Sequence, residues 1–412
     1  MAKSTLSFPD HNQNFWQLAS IQGASMTIPG ILIGGALMQQ YGARVALSSI
    51  FIGNLLLWII GLGVISMAVQ GRKNIIQVTY EYLGRRTSFA LALILAAAFI
   101  FWYMINIKVT AQIFGSFLFP QWSLKSIGVF LGVIVAVLSM GGIRLIKHLC
   151  VASFPFLFLA VLCAIITYGK FSLQGEWGIA FPAVIAVMIV YLPGIVNFST
   201  FFRHSSSRAD SILALTLLTL FDIISESATV FMNISSVDGF FNISAGSKFF
   251  SFGFYAFAFL SFMCLNLVNI YFASAGVEKI LPRLSSSKRY LMIGLIGSIA
   301  YFCFQEMSLI YLMESLVSNW ISNLGVVLIM VFLVKTVVKE RPRIFEKMVA
   351  CLCWITGCIV NVVVQLYGLE NNISFLAGTW ACLISFIFII FINEIVFYLN
   401  LLVKRFACFL EE

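Results

Sequence analysis

The sequence predicts an all-α polytopic membrane protein with twelve transmembrane helices. Three observations indicate this class: the composition, the length of the apolar segments, and the distribution of lysine and arginine between the loops. Of the 412 residues, 61% are hydrophobic and 10% are charged, and the mean hydropathy is +1.01. Soluble domains carry about 25% charged residues, so a chain this apolar needs lipid around it. Its apolar stretches are continuous rather than alternating, which argues against a transmembrane β-barrel.

Twelve apolar segments are long enough to cross a bilayer, which takes about 20 residues of helix. The connections between them are short, so one transmembrane domain is expected to fill residues 1–412. The predicted segments are 17–39, 45–69, 88–118, 124–142, 150–168, 179–201, 211–234, 250–277, 290–306, 309–337, 348–367 and 373–402.

Lysine and arginine are distributed unequally between the two sides of this arrangement. With the amino terminus in the cytoplasm, 20 of them lie on the cytoplasmic side, 4 on the outer side, and Lys108 inside a helix. Such an excess marks the cytoplasmic side of a membrane protein. We therefore expect a multi-pass protein of the cell (inner or plasma) membrane with both termini cytoplasmic. The net charge of +9 then indicates topology and requires no nucleic acid as a partner.

Several functional classes are disfavoured by the remaining composition and motifs. Residues 1–15 are polar and the first apolar segment is long, so no cleavable signal peptide is expected. The nine cysteines are odd in number and lie mostly in apolar segments, which predicts neither a disulfide framework nor a metal site. Walker, HExxH and GxSxG motifs do not occur. We expect no enzyme and no cofactor, and transport that uses a gradient or is facilitated.

Two Pro-Gly pairs stand inside apolar segments, Pro29-Gly30 in the first and Pro193-Gly194 in the sixth. Proline removes a backbone donor and glycine tolerates unwound backbone. Secondary transporters bind substrate where repeat-related helices are broken, and the spacing puts these pairs at the start of two five-helix halves. We therefore expect both helices to be interrupted there and to line a binding site together with Thr27. The alternative is that the prolines only kink the helices and shape their packing.

Charged side chains also occur at membrane depth. Lys108 lies in the third segment, and Asp222 and Glu226 share one face of the seventh because residues four apart lie on one side of a helix. Since charges are costly in lipid, they should face protein or water, and the two acids are the expected partners of Lys108. Two interpretations stay open. One is a site for proton coupling or substrate charge; the other is a structural ion pair between helices, or an Asp222 that is simply close to the cytoplasmic surface.

Further polar side chains are expected at a similar depth. Asparagine amides both donate and accept hydrogen bonds, and an aromatic ring can stack on a planar ligand. A planar, hydrogen-bonding ligand would be bound by such a set, whereas a single intramembrane aromatic more often only packs. The candidates are Trp102, Asn106, Asn197, Ser199, Asn266 and Asn269.

A series of short motifs runs along the chain: Asn14-Phe15-Trp16, Ile52-Gly53-Asn54-Leu55-Leu56-Leu57, Trp102, Phe202-Arg203 and Ala273-Ser274. In order and spacing they resemble the nucleobase–cation symporter family, particularly its cytosine-permease-like branch, over nearly the whole chain. The resemblance implies a LeuT-type fold of two inverted five-helix repeats, about 17–168 and 179–337, followed by two helices, about 348–402. It also implies proton- or sodium-coupled uptake of a nucleobase or similar heterocycle, with Trp102 stacked on the ligand and the two broken helices supplying backbone contacts.

The chain departs from the family pattern at three points. Thr200 stands where an acidic residue often precedes the Phe-x-Arg motif. Cys264-Leu265-Asn266 occupies the stretch where sodium-coupled members carry hydroxyl ligands. Asn106 and Lys108 stand where small residues usually follow the tryptophan of the third helix. H⁺ is therefore expected as the coupling ion rather than Na⁺.

The expected function is a secondary active symporter, or permease, that imports a nucleobase-like heterocycle such as cytosine or a purine. Its expected partners are this small molecule and the lipid bilayer, and no oligomeric state is predicted. One alternative is a transporter of the same fold for an amino acid or a vitamin-type metabolite, since fold does not determine function. Lys108 favours a substrate with a carboxylate. Another alternative is a channel or a non-transporting sensor.

Overall fold

The computed structural model describes residues 13–117, 121–169, 173, 175–232, 248–304, 307–337 and 346–411. Helices account for the regular structure of these ranges, apart from one isolated bridge between Gln13 and Ser205. The helices are α1 (Phe15–Tyr41), α2 (Ala43–Gly71), α3 (Ile75–Leu83), α4 (Arg85–Phe117), α5 (Leu124–Ser139), α6 (Gly142–Tyr168), α7 (Phe181–Asn197), α8 (Ser199–Phe202), α9 (Arg208–Met232), α10 (Lys248–Ile280), α11 (Ser286–Cys303), α12 (Met307–Val337), α13 (Glu346–Leu366) and α14 (Asn371–Glu411).

The predicted all-helical membrane class is confirmed, and each predicted apolar segment falls on a helix. Within the described ranges, nine spans are long and apolar enough to cross a membrane on their own, α7 and α8 together forming one of them. The two halves of α1, which meet at 48°, make a tenth. The helix α5 is apolar but shorter, so a count of twelve spans stays a prediction. The predicted ends at 118, 233–234 and 305–306 lie outside the described residues.

The helix α3 was not predicted because it is too short to span a bilayer. It begins with a capping box, in which the Asn74 side chain accepts from the Gln77 amide at 2.9 Å. In return, the Gln77 side chain accepts from the Asn74 amide at 3.0 Å. One face of the helix is buried while Tyr80 and Glu81 are exposed, as in an amphipathic surface helix.

The helix α1 lies at the centre of the fold and packs against α9, α6, α10, α2 and α7. Its second half approaches α9 through glycine: a Cβ added at Gly34 would lie 1.9 Å from the carbonyl oxygen of Glu226. Gly276 does the same between α10 and α4, because a Cβ added there would lie 2.2 Å from the carbonyl oxygen of Ala92. Small residues at such crossings let helix backbones touch, which is how helices associate closely in membranes.

Candidate functional site

The two Pro-Gly pairs behave differently in the structure. The helix α1 bends by 48° between Thr27 and Pro29, as the sequence led us to expect of a break. The helix α7 instead continues through Pro193-Gly194 to Asn197. Its irregularity comes at Phe198, whose amide bonds to the carbonyl of Ile195 at 3.0 Å, one residue short of the α-helical partner.

The predicted interruption at Pro193-Gly194 is therefore wrong in position. A proline removes one backbone hydrogen bond of the helix, and tight packing compensates for that loss because Pro193, Leu192 and Tyr191 are all buried. The backbone at Gly194 is helical in this described segment and not unwound as predicted. A Cβ added at Gly194 would meet only the Met26 side chain, at 3.4 Å.

Two buried carboxylates form the most polar part of the helix crossing. Asp222 and Glu226 of α9 are 7% and 0% exposed. Glu226 Oε2 accepts a 2.7 Å hydrogen bond from the Asn54 amide nitrogen of α2. Glu226 Oε1, Asp222 Oδ1 and the Tyr191 hydroxyl have no hydrogen-bond partner within 3.5 Å among the described residues.

The backbone of α1 completes this crossing. A Cβ at Gly30 would lie 3.1 Å from the Tyr191 hydroxyl and 3.1 Å from Ser225 Cβ. The Thr229 hydroxyl donates to the Ile31 carbonyl across the interface at 3.1 Å. The Pro29-Gly30 pair therefore lies directly against the acidic face of α9, which the sequence did not predict.

A small cavity borders this acidic face, with a volume of about 10 Å³. That volume holds about one water molecule, so a heterocycle does not fit while the helices stand as they do. The residues with polar atoms along its wall are Asn54, Tyr191, Thr219 and Asp222, and Met26 and Phe198 are among its apolar neighbours.

Lys108 does not pair with Asp222 or Glu226, so that expectation is wrong. Its ammonium lies 5.3 Å from the ring centroid of Tyr311 on α12, in a cation–π arrangement. The reason is the helix order: α4 packs on α10, α12, α5, α11 and α3, whereas α9 packs on α1, α2 and α6. Sequence spacing gives the face on which a charge lies but not the helix that it meets.

Trp102, like Lys108, contacts the helix α12. Its indole nitrogen donates to the Ser318 hydroxyl at 3.4 Å, and Ser318 in turn donates to the Glu314 carboxylate. Tyr311, Glu314 and Ser318 are three and four residues apart on α12 and share one face. This face of α12 was not predicted as part of a site, although Glu314 in an apolar stretch is a readable signal.

The five predicted asparagine and serine candidates are all buried, and each carries an unsatisfied polar atom. Asn197 Oδ1 accepts from the Thr200 hydroxyl at 2.9 Å. Atoms without a partner in the described part of the chain are Asn106 Nδ2, Asn197 Nδ2, Ser199 Oγ, Asn266 Oδ1 and Asn269 Nδ2. No hydrogen bond within those ranges joins any two of these five residues, and their convergence on one ligand stays a prediction.

The chain ahead of α1 is held against the turn between α8 and α9. The Gln13 amide donates to the His204 carbonyl at 2.7 Å, and the Ser206 amide donates to the Gln13 carbonyl at 2.9 Å. The Phe15 amide donates to Asp210 at 3.2 Å. Burial, followed by the nearby guanidinium groups of Arg203 and Arg72, lowers the pKa of His204 to about 3. Its imidazole is therefore neutral, and Nε2 accepts from the Arg203 side chain at 3.2 Å.

Comparison with known proteins finds relatives by structure only. No family model matches the sequence, and no curated protein matches it. The fold matches Mhp1, a nucleobase-cation-symport-1 family transporter in a closed conformation with bromovinylhydantoin bound, at a TM-score of 0.67 and 15% identity over 91% of each chain. The inward-facing conformation of Mhp1 matches with a TM-score of 0.64 and 15% identity, covering 94% of this chain and 95% of that one.

Transporters of other substrates share the fold as well. A Na⁺-coupled sialic acid symporter in a substrate-bound outward-open state matches with a TM-score of 0.67 and 12% identity, covering 90% of this chain and 88% of its own. A manganese transporter of Eremococcus coleocola matches with a TM-score of 0.59 and 13% identity, covering 90% and 94%. The resemblance suggested by the sequence motifs is thus confirmed for the fold, which this multi-pass protein shares with membrane transporters.

Proposed function

We propose that this protein is a secondary active transporter that imports a nucleobase-like heterocycle together with a proton. Twelve spans, arranged as two inverted five-helix repeats plus two helices with both termini in the cytoplasm, form the proposed architecture. The fold shared with Mhp1, whose structure contains a bromovinylhydantoin, is the observation that carries the proposal. Because likeness of fold alone does not determine the substrate, the side chains must supply the rest of the case.

The side-chain support comes from Trp102. A half-buried indole on α4 offers a flat apolar face, and its N–H points to the Ser318 hydroxyl rather than into lipid. One turn further along α4, the Asn106 amide is buried and its nitrogen has no partner within the described ranges. A ring beside an amide that needs an acceptor suits a planar ligand with carbonyl groups. In this proposal the base stacks on Trp102 and its carbonyl accepts from Asn106.

A thermal-shift screen of the purified protein tests the substrate class, because a ligand that binds only the folded state raises the melting temperature. Nucleobases, nucleosides, amino acids and vitamins form the panel, and uptake of labelled cytosine and hypoxanthine into proteoliposomes follows. We expect stabilisation by nucleobases that is lost in Trp102→Ala and retained in Trp380→Ala, which alters an exposed tryptophan on α14. Stabilisation by amino acids alone would contradict the proposal.

A second candidate is a transporter of a small carboxylate such as an amino acid. The observation in favour of this candidate concerns Lys108. Its ammonium faces Tyr311, and no carboxylate lies within 4.0 Å of the ammonium in the described part of the chain. A substrate carboxylate would complete that pair. The same screen separates the two candidates, since only this one predicts stabilisation by amino acids that disappears in Lys108→Met.

A further inference from the structure

The crossing of α1, α2, α7 and α9 contains more unpaired polar atoms than helix packing requires. Among the described residues, no Lys, Arg or His nitrogen lies within 4.0 Å of Asp222 or Glu226. Four buried oxygens there have no hydrogen-bond partner within 3.5 Å among the described residues: Asp222 Oδ1, Glu226 Oε1 and the hydroxyls of Tyr191 and Ser225. The Tyr191 hydroxyl nevertheless lies close enough to the Glu226 carboxylate to interact with it. Buried polar atoms in native proteins are nearly always satisfied, so such a group indicates something that binds there.

The groups that face the two acids come from three helices, α7, α2 and α1. From α7 the Tyr191 phenol, 2% exposed, borders the cavity, and from α2 the Asn54 amide bonds to Glu226. The glycines of α1 bring only backbone, and the α6 rings of Phe154 and Phe158 pack on Phe221 rather than on the acids. Among these neighbours in the described ranges, Tyr191 is the titratable side chain that faces the acids.

The hydrogen bonds of Asn54 favour a proton over a metal ion at Glu226 Oε2. The Asn54 amide nitrogen donates to Glu226 Oε2 at 2.7 Å and to the Ile50 carbonyl at 3.0 Å. Because both of these neighbours are acceptors, the side-chain atom that faces them is the NH₂ group and not the amide oxygen. The site therefore presents N–H and O–H donors to the carboxylates. A hard cation such as Na⁺ is bound by several oxygens, as in calcium and magnesium sites, and the unpaired oxygens here supply that ligand type too, so the sodium titration below separates the two ligands.

We propose that Asp222 and Glu226 form a proton site that holds one exchangeable proton, with Asn54 and Tyr191 hydrogen-bonded to the remaining charge. Two ionised carboxylates one turn apart repel each other, and in lipid neither is screened by water. One proton on the pair leaves a single charge, which the two donors stabilise. The cavity of about 10 Å³ admits the one water needed to carry a proton to Asp222.

The wall of the cavity gives the order of the two acids. Asp222 lines it, whereas Glu226 lies behind, against the backbone of α1. The other lining residues of α9 are Leu215, Leu218 and Thr219, all on the Arg208 side of Asp222, and Phe198 lies at the turn into α8. Asp222 is therefore the acid that exchanges its proton with water, and Glu226 is the deeper partner. Use of this proton as the coupling ion rests on the proposed function, whereas the site itself does not.

Infrared difference spectroscopy on the reconstituted full-length chain tests the site without any substrate. A protonated carboxyl group has a C=O stretch that a carboxylate lacks. We expect, at neutral pH in sodium-free buffer, a band present in the wild type and absent from the double variant Asp222→Asn/Glu226→Gln. Glu81→Gln is the matched control, because it removes an exposed acid paired with Lys73 and should keep the band.

Two outcomes would overturn the site. One is a wild-type spectrum that does not differ from the double variant in the carboxyl region. The other is loss of the wild-type band when sodium chloride is added at constant pH, which would make this a sodium site. The sodium titration uses only wild-type protein, so it decides the question even when the double variant fails to fold.

Proteoliposomes that contain a trapped pH indicator test the coupling separately, with cytosine and hypoxanthine as probes. We expect Asp222→Asn to exchange labelled for unlabelled probe but to lose accumulation driven by a proton gradient. Accumulation at the wild-type level in this variant would overturn the coupling role. No transport of either probe by the wild type, with the infrared band behaving as expected, would reject the proposed function and leave the proton site standing.

Discussion

The contact between Gly34 and α9 makes a sharp stability prediction. In Gly34→Ala the new Cβ would lie 1.9 Å from the Glu226 carbonyl oxygen, 2.7 Å from its carbonyl carbon and 2.6 Å from the Thr229 hydroxyl. Ordinary contact begins at 3.4 Å, so the two helices must separate by roughly 1.5 Å at this point. Two of these three atoms are backbone, and no change of rotamer relieves the clash.

The energetic balance has two opposing parts. Overpacking of this kind costs about 1–3 kcal/mol, whereas replacing a helical glycine by alanine returns about 0.5–1 kcal/mol. Because the clash is with backbone and also strains the Thr229 bond to Ile31, the cost falls at the upper end. We expect a net loss of about 2 kcal/mol in the free energy of unfolding for Gly34→Ala.

Gly63→Ala is the matched control on α2, since its Cβ would lie 3.5 Å from the nearest atom, Ile329 Cγ1. It should keep the gain of about 0.5–1 kcal/mol without a clash. Thermal unfolding in detergent, followed by tryptophan fluorescence, should rank the midpoints as Gly63→Ala, wild type, Gly34→Ala. A Gly34→Ala protein that melts at or above the wild type would refute the helix contact.

Three further predictions concern other parts of the chain. On the hypothesis that Lys108 takes the place of a cation or contacts an anionic group on the substrate, Lys108→Met and Lys108→Ala should both reduce uptake of the identified substrate, and wild-type rates in both would exclude this role. Asn361→Leu should cost about 1–3 kcal/mol, since it leaves the buried Asn323 amide without the acceptor now 2.5 Å away, and an unchanged urea midpoint would contradict it. Stability should fall as pH drops from about 6.5 towards 3, because the unfolded chain protonates His204 while the folded one, with a pKa of about 3, does not. The slope of melting temperature against pH should flatten in His204→Gln. An unaltered slope would show that the buried His204 does not cause the loss of stability at low pH.

The helices were predictable from the sequence because the bilayer imposes a length on them. A stretch of about 20 apolar residues has few alternatives to a spanning helix. The helix α3 has only nine residues, so bilayer thickness does not determine it; local capping does, and the Asn74 to Gln77 spacing is the readable signal. The irregular point of α7 lies at Phe198 rather than at the proline, because it depends on packing around the α7–α8 turn.

The site was predictable in its members but not in its pairings. Asp222, Glu226 and Lys108 stand out because charge is rare in lipid-facing sequence. Which of them meet depends on the order of helices around the bundle, and α4 and α9 face different neighbours. Asn54 stands out in the sequence only as part of a motif, because its role as the donor to Glu226 depends on the crossing of α2 with α9.

The bend at Pro29 divides α1 into halves that are anchored by different kinds of contact. The second half touches α9 backbone to backbone at Gly34, which leaves little freedom to move. The first half packs on α6 through side chains, with Trp16 and Phe154 edge to face at 5.5 Å. Backbone hydrogen bonds join Gln13 to the turn before α9, and the Phe15 amide donates to Asp210 in the first turn of α9. Side-chain contacts and a few hydrogen bonds break at lower cost than interlocked backbones. Because the cavity beside the bend holds about one water, admitting a heterocycle requires a helix to move. Residues 15–27 are therefore the part of α1 that we expect to swing, with Pro29 as the hinge.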